Sequence, residues 1–450
     1  MRMKNAIGYN RRMKYHIWTE GCQMNFADSH VVAEALQVLG YEPVGVAEQA
    51  DIIVLNTCVV RQSAEDKAYG RLSSLKSYKL QRPDVVINLM GCLVGINGDP
   101  ALRKRFPYVD VFSPPSDPRP LIDFMDYRES RLRICEPGRM DGYEQDIPVS
   151  SFRVKTASRV SALVPIVLGC SHACTYCVIP SRRGAERSRP AQEILREVKE
   201  AVANGVKEIT LLGQIVDRYG KDLSGKEDLA SLMQRLSDIQ GLERIRFLTS
   251  HPFWMTEELL NIVASSPIIM PHIEVPVQAG DDEILRRMRR GYSVAQYRVL
   301  IERIRAIIPG VSIGTDVIVG FPGETDVQFQ YTSDLLKELR FDVVHLARYS
   351  PRPGTYAAEH LVDDVPDGVK WQRFRQLEEL QTVIATEINA RLQGTITSVL
   401  FEGKSRSRWR GRTPNNKLVF VDSQAELGGR TKPVKIHWTG PWSLLGEIMD

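Results

Sequence analysis

The chain has 450 residues, 43% of them hydrophobic and 25% charged, with 59 Lys and Arg against 55 Asp and Glu for a formal net charge of +4. That length predicts two or three domains, and the mild positive balance permits a nucleic-acid partner without demanding one. No apolar run reaches membrane-spanning length, and no apolar core follows the basic stretch Met1 to Lys14, so neither a membrane anchor nor a secretory signal is expected.

Strand–helix alternation is predicted from Lys14 to Ser130. Lys14–Trp18, Asp51–Leu55 and Val85–Met90 read as strands. Ala27–Leu39 and Ser63–Leu80 read as helices, the first with Val31, Val32, Ala35, Leu36 and Leu39 on one face and Gly40 closing it. Such alternation predicts a parallel sheet flanked by helices. Three cysteines fall just past the three strands: Cys22 in Gly21-Cys22-Gln23-Met24-Asn25, Cys58 in Asn56-Thr57-Cys58, and Cys92 in Met90-Gly91-Cys92. In a parallel sheet those strand ends share one edge, where ligands bind. A lone cysteine is usually a small buried hydrophobe. Repetition of the placement points instead to three converging thiolates.

From Ser113 to Ser158 the sequence reads as an irregular connector. It opens on Ser113-Pro114-Pro115-Ser116-Asp117-Pro118 and continues as an exposed charged stretch. Cys135 lies in it without a partner.

A second α/β pattern spans Arg159 to Ala385. Strands are predicted at Leu163–Leu168, Glu208–Leu212, Arg244–Leu248, His272–Val277, Ser312–Val319 and Asp342–Leu346. Helices lie between them, such as the one opened by Pro190 with the stripe Ile194, Leu195, Val198 and Val202. Six βα units predict a partial α/β barrel whose site lies at the C-terminal strand ends. Just after the first strand comes Gly169-Cys170-Ser171-His172-Ala173-Cys174-Thr175-Tyr176-Cys177, with spacing C-x3-C-x2-C. Three of the seven cysteines of the chain cluster here. Three thiolates on one loop can grip three irons of a cubane cluster and leave the fourth open. A structural zinc would want a fourth protein ligand, for which His172 is the neighbouring candidate. Other loops at the same edge carry polar groups: Gly213-Gln214, Thr249-Ser250-His251-Pro252, Val277-Gln278-Ala279-Gly280, Thr315-Asp316 and Gly320-Phe321-Pro322-Gly323-Glu324. The run Arg286-Arg287-Met288-Arg289-Arg290 reads as a solvated helix face, or as a grip on a carboxylate or phosphate.

Thr386 to Asp450 reads as a small β domain, with strands at Ile396–Phe401, Lys417–Val421 and Lys432–Trp438. Lys404, Arg406, Arg408, Arg410 and Arg412 recur at every second position, which places them on one face of an extended segment. With Trp409 among them, this ribbon suits an RNA backbone; the plainer reading is a solubilising loop.

The C-x3-C-x2-C loop resembles the signature of the radical S-adenosylmethionine (SAM) enzymes, as does Tyr176 before its last cysteine. Nearly the whole chain resembles the MiaB-type tRNA methylthiotransferases. The likeness is carried by the three N-terminal cysteine motifs, Arg183-Gly184, Ser188-Arg189-Pro190, Arg246-Phe247 with Thr249-Ser250-His251-Pro252, Pro276-Val277-Gln278, and Asp316 through Thr325. The C-terminal domain resembles a TRAM domain at Glu402-Gly403 and Gly411-Arg412-Thr413. The resemblance implies an α/β fold with three domains. They are a parallel α/β methylthiotransferase domain over 14–130, a partial (β/α)6 radical-SAM barrel over 159–385, and a small TRAM β-barrel over 386–450.

The implied activity is 2-methylthiolation of N6-isopentenyladenosine beside the tRNA anticodon. The implied cofactors are two 4Fe–4S clusters and two SAM per turnover. Cys170, Cys174 and Cys177 would hold the SAM-cleaving cluster, and Cys22, Cys58 and Cys92 an auxiliary one carrying the sulfur. Tyr176, Gln214, Gln278 and Asp316 would contact SAM. Glu20, Gln23 and Asn25, beside the first auxiliary cysteine, are candidate base readers. Expected partners are tRNA, a reductant protein and a sulfur donor, for a cytoplasmic monomer. Two departures from the family pattern touch the SAM or base contacts: Gln214-Ile215-Val216-Asp217 lacks the usual asparagines, and Ala279 stands where serine is common. Relatives that modify threonylcarbamoyl-adenosine in tRNA or a ribosomal-protein aspartate are the nearest alternative. A non-catalytic, zinc-containing RNA-binding protein is the alternative from another class.

Overall fold

The computed structural model describes residues 13–134, 160–225 and 227–449. The chain divides into two compact units, Met1–Lys155 with Ser181–Gly184, and Thr156–Pro180 with Ala185–Asp450.

The first unit is built on a parallel five-stranded sheet. Its spatial order is Glu42–Pro43, Lys14–Glu20, Ile52–Thr57, Val86–Gly91 and Val111–Ser113. Every residue of the two central strands Ile52–Thr57 and Val86–Gly91 is buried, as expected where helices cover both faces. The strand order reverses between Lys14–Glu20 and Ile52–Thr57. A crevice outside the carboxyl ends is expected at such a reversal. Helices Gln23–Val38 and Gln62–Gln81 follow these two strands. The first helix starts four residues before the expected Ala27, because Cys22 caps it and Asn25 completes a reciprocal capping box.

The stretch expected to be irregular from Ser113 instead continues the fold. Val111–Ser113 forms the edge strand and Arg119–Ile134 a helix. Leu121 and Met125 bury themselves against the sheet from that helix, with Ile122 beside them. Charged neighbours obscured this short apolar stripe. Cys135 and the rest of the expected connector up to Ser158 lie outside the described residues.

In the second unit, parallel strands Ser161–Pro165, Glu208–Leu212 and Arg244–Phe247 form one half-sheet, and His272–Glu274, Ser312–Val319 and Val343–Arg348 the other. A parallel bridge between Ile245 and Ile269 joins the halves. This is the expected open six-stranded barrel. The predicted strand Leu163–Leu168 is broken after Pro165, and Val167–Leu168 pairs antiparallel with Arg187–Ser188. A continuous apolar core lies between strands and outer helices, with Phe247, Tyr219, Tyr297, Phe321 and Phe341 fully buried. Burial of each such side chain stabilises the fold by about 1.5–3 kcal/mol.

Helix Asp367–Ala390 then runs through the expected boundary at Ala385 and leads to a closed five-stranded barrel. Its strands are Ile396–Ser405, Arg408–Arg412, Leu418–Val421, Thr431–Thr439 and Leu444–Ile448. The second and last were not foreseen. Arg408–Arg412 is too basic for a strand pattern, and Leu444–Ile448 is short and glycine-broken. Among the described residues, no helix is long and apolar enough to cross a membrane.

Candidate active site

Cys58 and Cys92 stand immediately beyond strands Ile52–Thr57 and Val86–Gly91, and Cys22 two residues beyond Lys14–Glu20. The spacing is set by backbone that tolerates no side chain. A Cβ on Gly21 would lie 2.3 Å from Asn25 Oδ1, and one on Gly91, at φ +98°, 2.5 Å from the Thr57 carbonyl oxygen. Cys22 occupies the N-cap position of helix Gln23–Val38. The Val60 backbone N–H donates to Cys58 Sγ at 3.3 Å.

Arg183 completes this trio. Its Nε donates to Cys92 Sγ at 3.2 Å, its Nη2 pairs with Asp28 at 2.8 Å, and its Nη1 reaches Ser116 Oγ at 3.3 Å. Burial pushes the Cys92 thiol up to about 12, although the guanidinium pulls the other way. Burial likewise raises Cys58. Both thiols therefore hold their protons at neutral pH.

Of the candidate base readers, Gln23 is exposed, and Glu20 pairs with Lys67 at 2.9 Å. Asn25 is a correction. It is fully buried, its Oδ1 accepts the Cys22 N–H, and its Nδ2 donates to Asn56 Oδ1 and to the Thr57 carbonyl. It shapes the loop and has no group left for a base.

In the second unit the Cys170–Cys177 loop follows the first barrel strand. Thr175 pins it by donating its N–H to the Met288 carbonyl and its hydroxyl to the Arg287 carbonyl, while its own carbonyl accepts from Ala357 N–H at 2.8 Å. Arg290 is buried and donates to Cys174 Sγ at 3.1 Å and to Tyr292 Oη at 3.1 Å. Burial raises Cys170, and it pushes Cys177 up to about 12.

Each trio thus has one buried guanidinium on a sulfur. Cysteine sulfurs that carry formal negative charge in a low-dielectric site need such donors. Neither arginine was singled out from sequence. Arg183 lies within a family motif, and Arg290 within a run that reads as a solvated helix face or a grip on an anion; Arg286 of that run makes an exposed helix-face pair with Glu283.

His172 does not stand free inside its loop. Its Nε2 lies 3.0 Å from Nε2 of the buried His251. Burial, followed by Arg290 and His172, holds His251 down at about 2, so it is neutral. Both carboxylate oxygens of Asp217 accept its backbone N–H. Thr249 and Gln278 hold φ of +69° and +74°. Left-handed backbone at a β-branched residue is strained, and such strain collects at functional sites.

Tyr176 packs on the barrel core. Gln214 follows its strand and is partly exposed. Gln278 N–H donates to the Asp316 carbonyl at 2.8 Å, which places those two expected SAM contacts side by side. Glu324 is spent on structure: it accepts from Gly320 N–H at 2.6 Å and pairs with Arg373 at 2.8 Å.

In the terminal barrel, Arg408 and Arg410 are exposed, and Lys404 lies over the Trp409 ring at 4.9 Å. Arg406 is exposed in the turn between the first two strands, at φ +57°. Two expectations fail here. Trp409 is 3% exposed and fills the barrel core, so it offers no stacking face. The five basic residues do not share one face of one strand, because the chain reverses at Arg406 and Ser407. Arg412 is held by the Asn416 carbonyl and amide oxygens at 3.1 and 3.2 Å.

Among the described residues, no three His, Cys, Asp or Glu side chains are grouped to hold one metal ion. A structural zinc brings its ligands onto a single ion. A cubane differs, because each thiolate binds its own iron.

Three family models match the chain: "Uncharacterized protein family UPF0004" over residues 14–113, "Radical SAM superfamily" over 164–336 and "TRAM domain" over 390–449. A protein of Chloroflexus aurantiacus named tRNA-2-methylthio-N(6)-dimethylallyladenosine synthase is 49% identical over 97% of this chain and 91% of its own. One of the same name from Roseiflexus sp. is 48% identical over 97% and 90%. Among solved structures, the radical SAM methyltransferase TsrM from Kitasatospora setae shares the fold, with a TM-score of 0.56 at 14% identity over 77% of this chain and 74% of that one. An enzyme family with these domains displaces the non-catalytic zinc reading: the chain belongs to the MiaB-type radical SAM methylthiotransferases.

Proposed function

We propose that the chain is a tRNA-2-methylthio-N6-dimethylallyladenosine synthase, which replaces the C2 hydrogen of N6-isopentenyladenosine beside the anticodon with a methylthio group. The observation that carries this reading is the near-full-length likeness to relatives of that one name, 49% and 48% identical. Two 4Fe–4S clusters are part of the proposal, with Cys170, Cys174 and Cys177 holding the SAM-cleaving one and Cys22, Cys58 and Cys92 the auxiliary one. The donor set fits: three thiols in each unit, with a buried guanidinium on Cys92 and another on Cys174. When bound, these groups and two SAM per turnover supply the radical chemistry and the sulfur that an unactivated C2–H bond requires.

The protein's share is placement. Arg183 and Arg290, both buried, offset charge on the sulfurs they touch. Thr175 fixes the signature loop. Gln278 and Asp316, joined through their backbones, line the same strand ends and are the proposed SAM contacts with Tyr176 and Gln214. Gln23 stays available to the base, and Arg408 and Arg410 to the RNA backbone. A reductant, a sulfur donor and a reducing cytoplasm belong to the same reading.

Anaerobic reconstitution tests it. The holoprotein is expected to hold about eight irons, as two cubanes require, and to yield the methylthiolated nucleoside by mass spectrometry. Cys58→Ala is expected to abolish that product while SAM cleavage remains detectable. Equal loss of both in a folded variant would contradict separate roles for the two trios.

A further inference from the structure

Phe253 is 63% exposed, more than any other aromatic among the described residues. It lies in the loop between strand Arg244–Phe247 and helix Glu257–Ser265, at the C-terminal rim of the barrel. Beside it Trp254 is partly exposed, so the two rings present an apolar edge at that rim.

Its surroundings are tied together by specific contacts. The Phe253 backbone N–H donates to His251 Nδ1 at 3.3 Å, and His251 in turn meets His172 of the signature loop. Trp254 lies edge-to-face with Phe253 at 5.1 Å between ring centroids. Trp254 also packs on the small apolar cluster of Cys170, Ile179 and Ile215 with Cys177. The aromatic pair is therefore tied to the loop that carries the thiols.

Charge around the pair is selective. Arg218 lies over the Trp254 ring at 4.5 Å, but Glu186 already engages it at 2.7 Å. Lys221 is exposed, with its ammonium 5.9 Å from the same ring. The shelf thus combines an uncommitted aromatic face, a cation suited to a phosphate, and a guanidinium already spent. Aromatic faces beside cations are the usual receptor for unstacked RNA bases. A hydrocarbon substituent would find the Phe253 ring here, while the nearby cations serve the RNA backbone.

We propose that Phe253 is a specificity-determining residue that receives the apolar N6 substituent of the substrate adenosine, with Trp254 as its support. This rests on the adenosine chemistry proposed above and names the group that reads it.

The test compares two anticodon stem-loop RNAs, identical except for isopentenyl on the target adenosine, binding to reconstituted holoprotein by fluorescence anisotropy. The parent is expected to prefer the isopentenylated RNA about ten-fold, the scale for burying about two of its hydrocarbon carbons. Phe253→Ala is expected to shrink that preference below about two-fold, chiefly by weakening the isopentenylated RNA. Phe253→Leu, still apolar, should keep most of it. Iron content and the thermal transition report that each variant is folded. An unchanged preference in Phe253→Ala, or equal weakening of both RNAs, overturns the assignment while leaving the proposed reaction standing. A parent with no preference that also forms no methylthiolated product overturns both.

Discussion

Asp217 lies in the segment that departs from the family pattern, and it is buried with both oxygens on the His251 backbone N–H. Burial pushes its carboxyl from the ordinary 3.8 up to about 7, although the backbone hydrogen bonds pull it down. The folded chain therefore holds this proton to a higher pH than the unfolded chain does. Its contribution is fully present below about 3.8 and is lost as pH rises through about 7. Asp217→Asn keeps one acceptor and cannot ionise. Urea unfolding of the metal-free protein should show parent and variant alike near the acid end. The variant should gain on the order of 1 kcal/mol per pH unit across that window, then hold a constant lead. A constant difference throughout would mean that the carboxyl does not titrate there. At this scale sequence reading divides by chemistry. The cysteines can be singled out because thiolate spacing is itself the signal. Asn25 was misassigned because adjacency to Cys22 says nothing about where an amide points. Arg290 was hidden because a basic run looks solvated until the fold turns one member inward.

Two arginines from one strand fasten the catalytic barrel to the terminal one. On Arg244–Phe247, Arg244 donates to the Arg412 carbonyl at 2.7 Å, and Arg246 to the Thr413 and Pro414 carbonyls at 2.8 Å each. Arg246 also pairs with Glu208 at 3.0 Å, both side chains being nearly sealed. Lys417 reaches Asp342 at 2.6 Å beside them. The loop after strand Arg408–Arg412 is thus held at the N-terminal strand ends, opposite the rim that carries Cys170 and Phe253. Arg246→Met strands Glu208 in a dry site and should cost about 3–5 kcal/mol in denaturant unfolding. Adding Glu208→Met should recover most of that loss, short of the missing carbonyl bonds. A double variant as unstable as the single would show that the ion pair is not what matters. None of this latch was legible beforehand. Strand periodicity predicted Arg244–Leu248 nearly to its ends, but alternating arginines in a barrel strand could as easily have lined the catalytic mouth.

Across the chain, local patterns foretold both α/β sheets because buried parallel strands are continuous apolar runs. The terminal barrel was foretold only in outline. Its strands are short and one is mostly arginine, so closure depends on pairings distant in sequence, such as Val419 with Leu444. That closure sorts the basic residues by availability. Arg408 meets exposed Asp422 at 3.2 Å, and exposed Arg410 meets half-buried Glu402 at 3.5 Å, which Arg412 shares at 3.3 Å; such loose surface pairs contribute little to stability and exchange readily for phosphate. Arg412 is held by Asn416, and its carbonyl by Arg244. Each phosphate contact contributes about 0.7–0.9 to the slope of log affinity against log salt. Arg408→Gln and Arg410→Gln should therefore each weaken tRNA binding and flatten that slope by about one contact, with the same effect on modified and unmodified RNA. Arg412→Gln should leave the slope alone and lower the unfolding midpoint instead. Titrations over a salt series separate the two outcomes. A slope that falls only for Arg412→Gln would place the RNA on the latch side of the terminal barrel rather than on its outer strand.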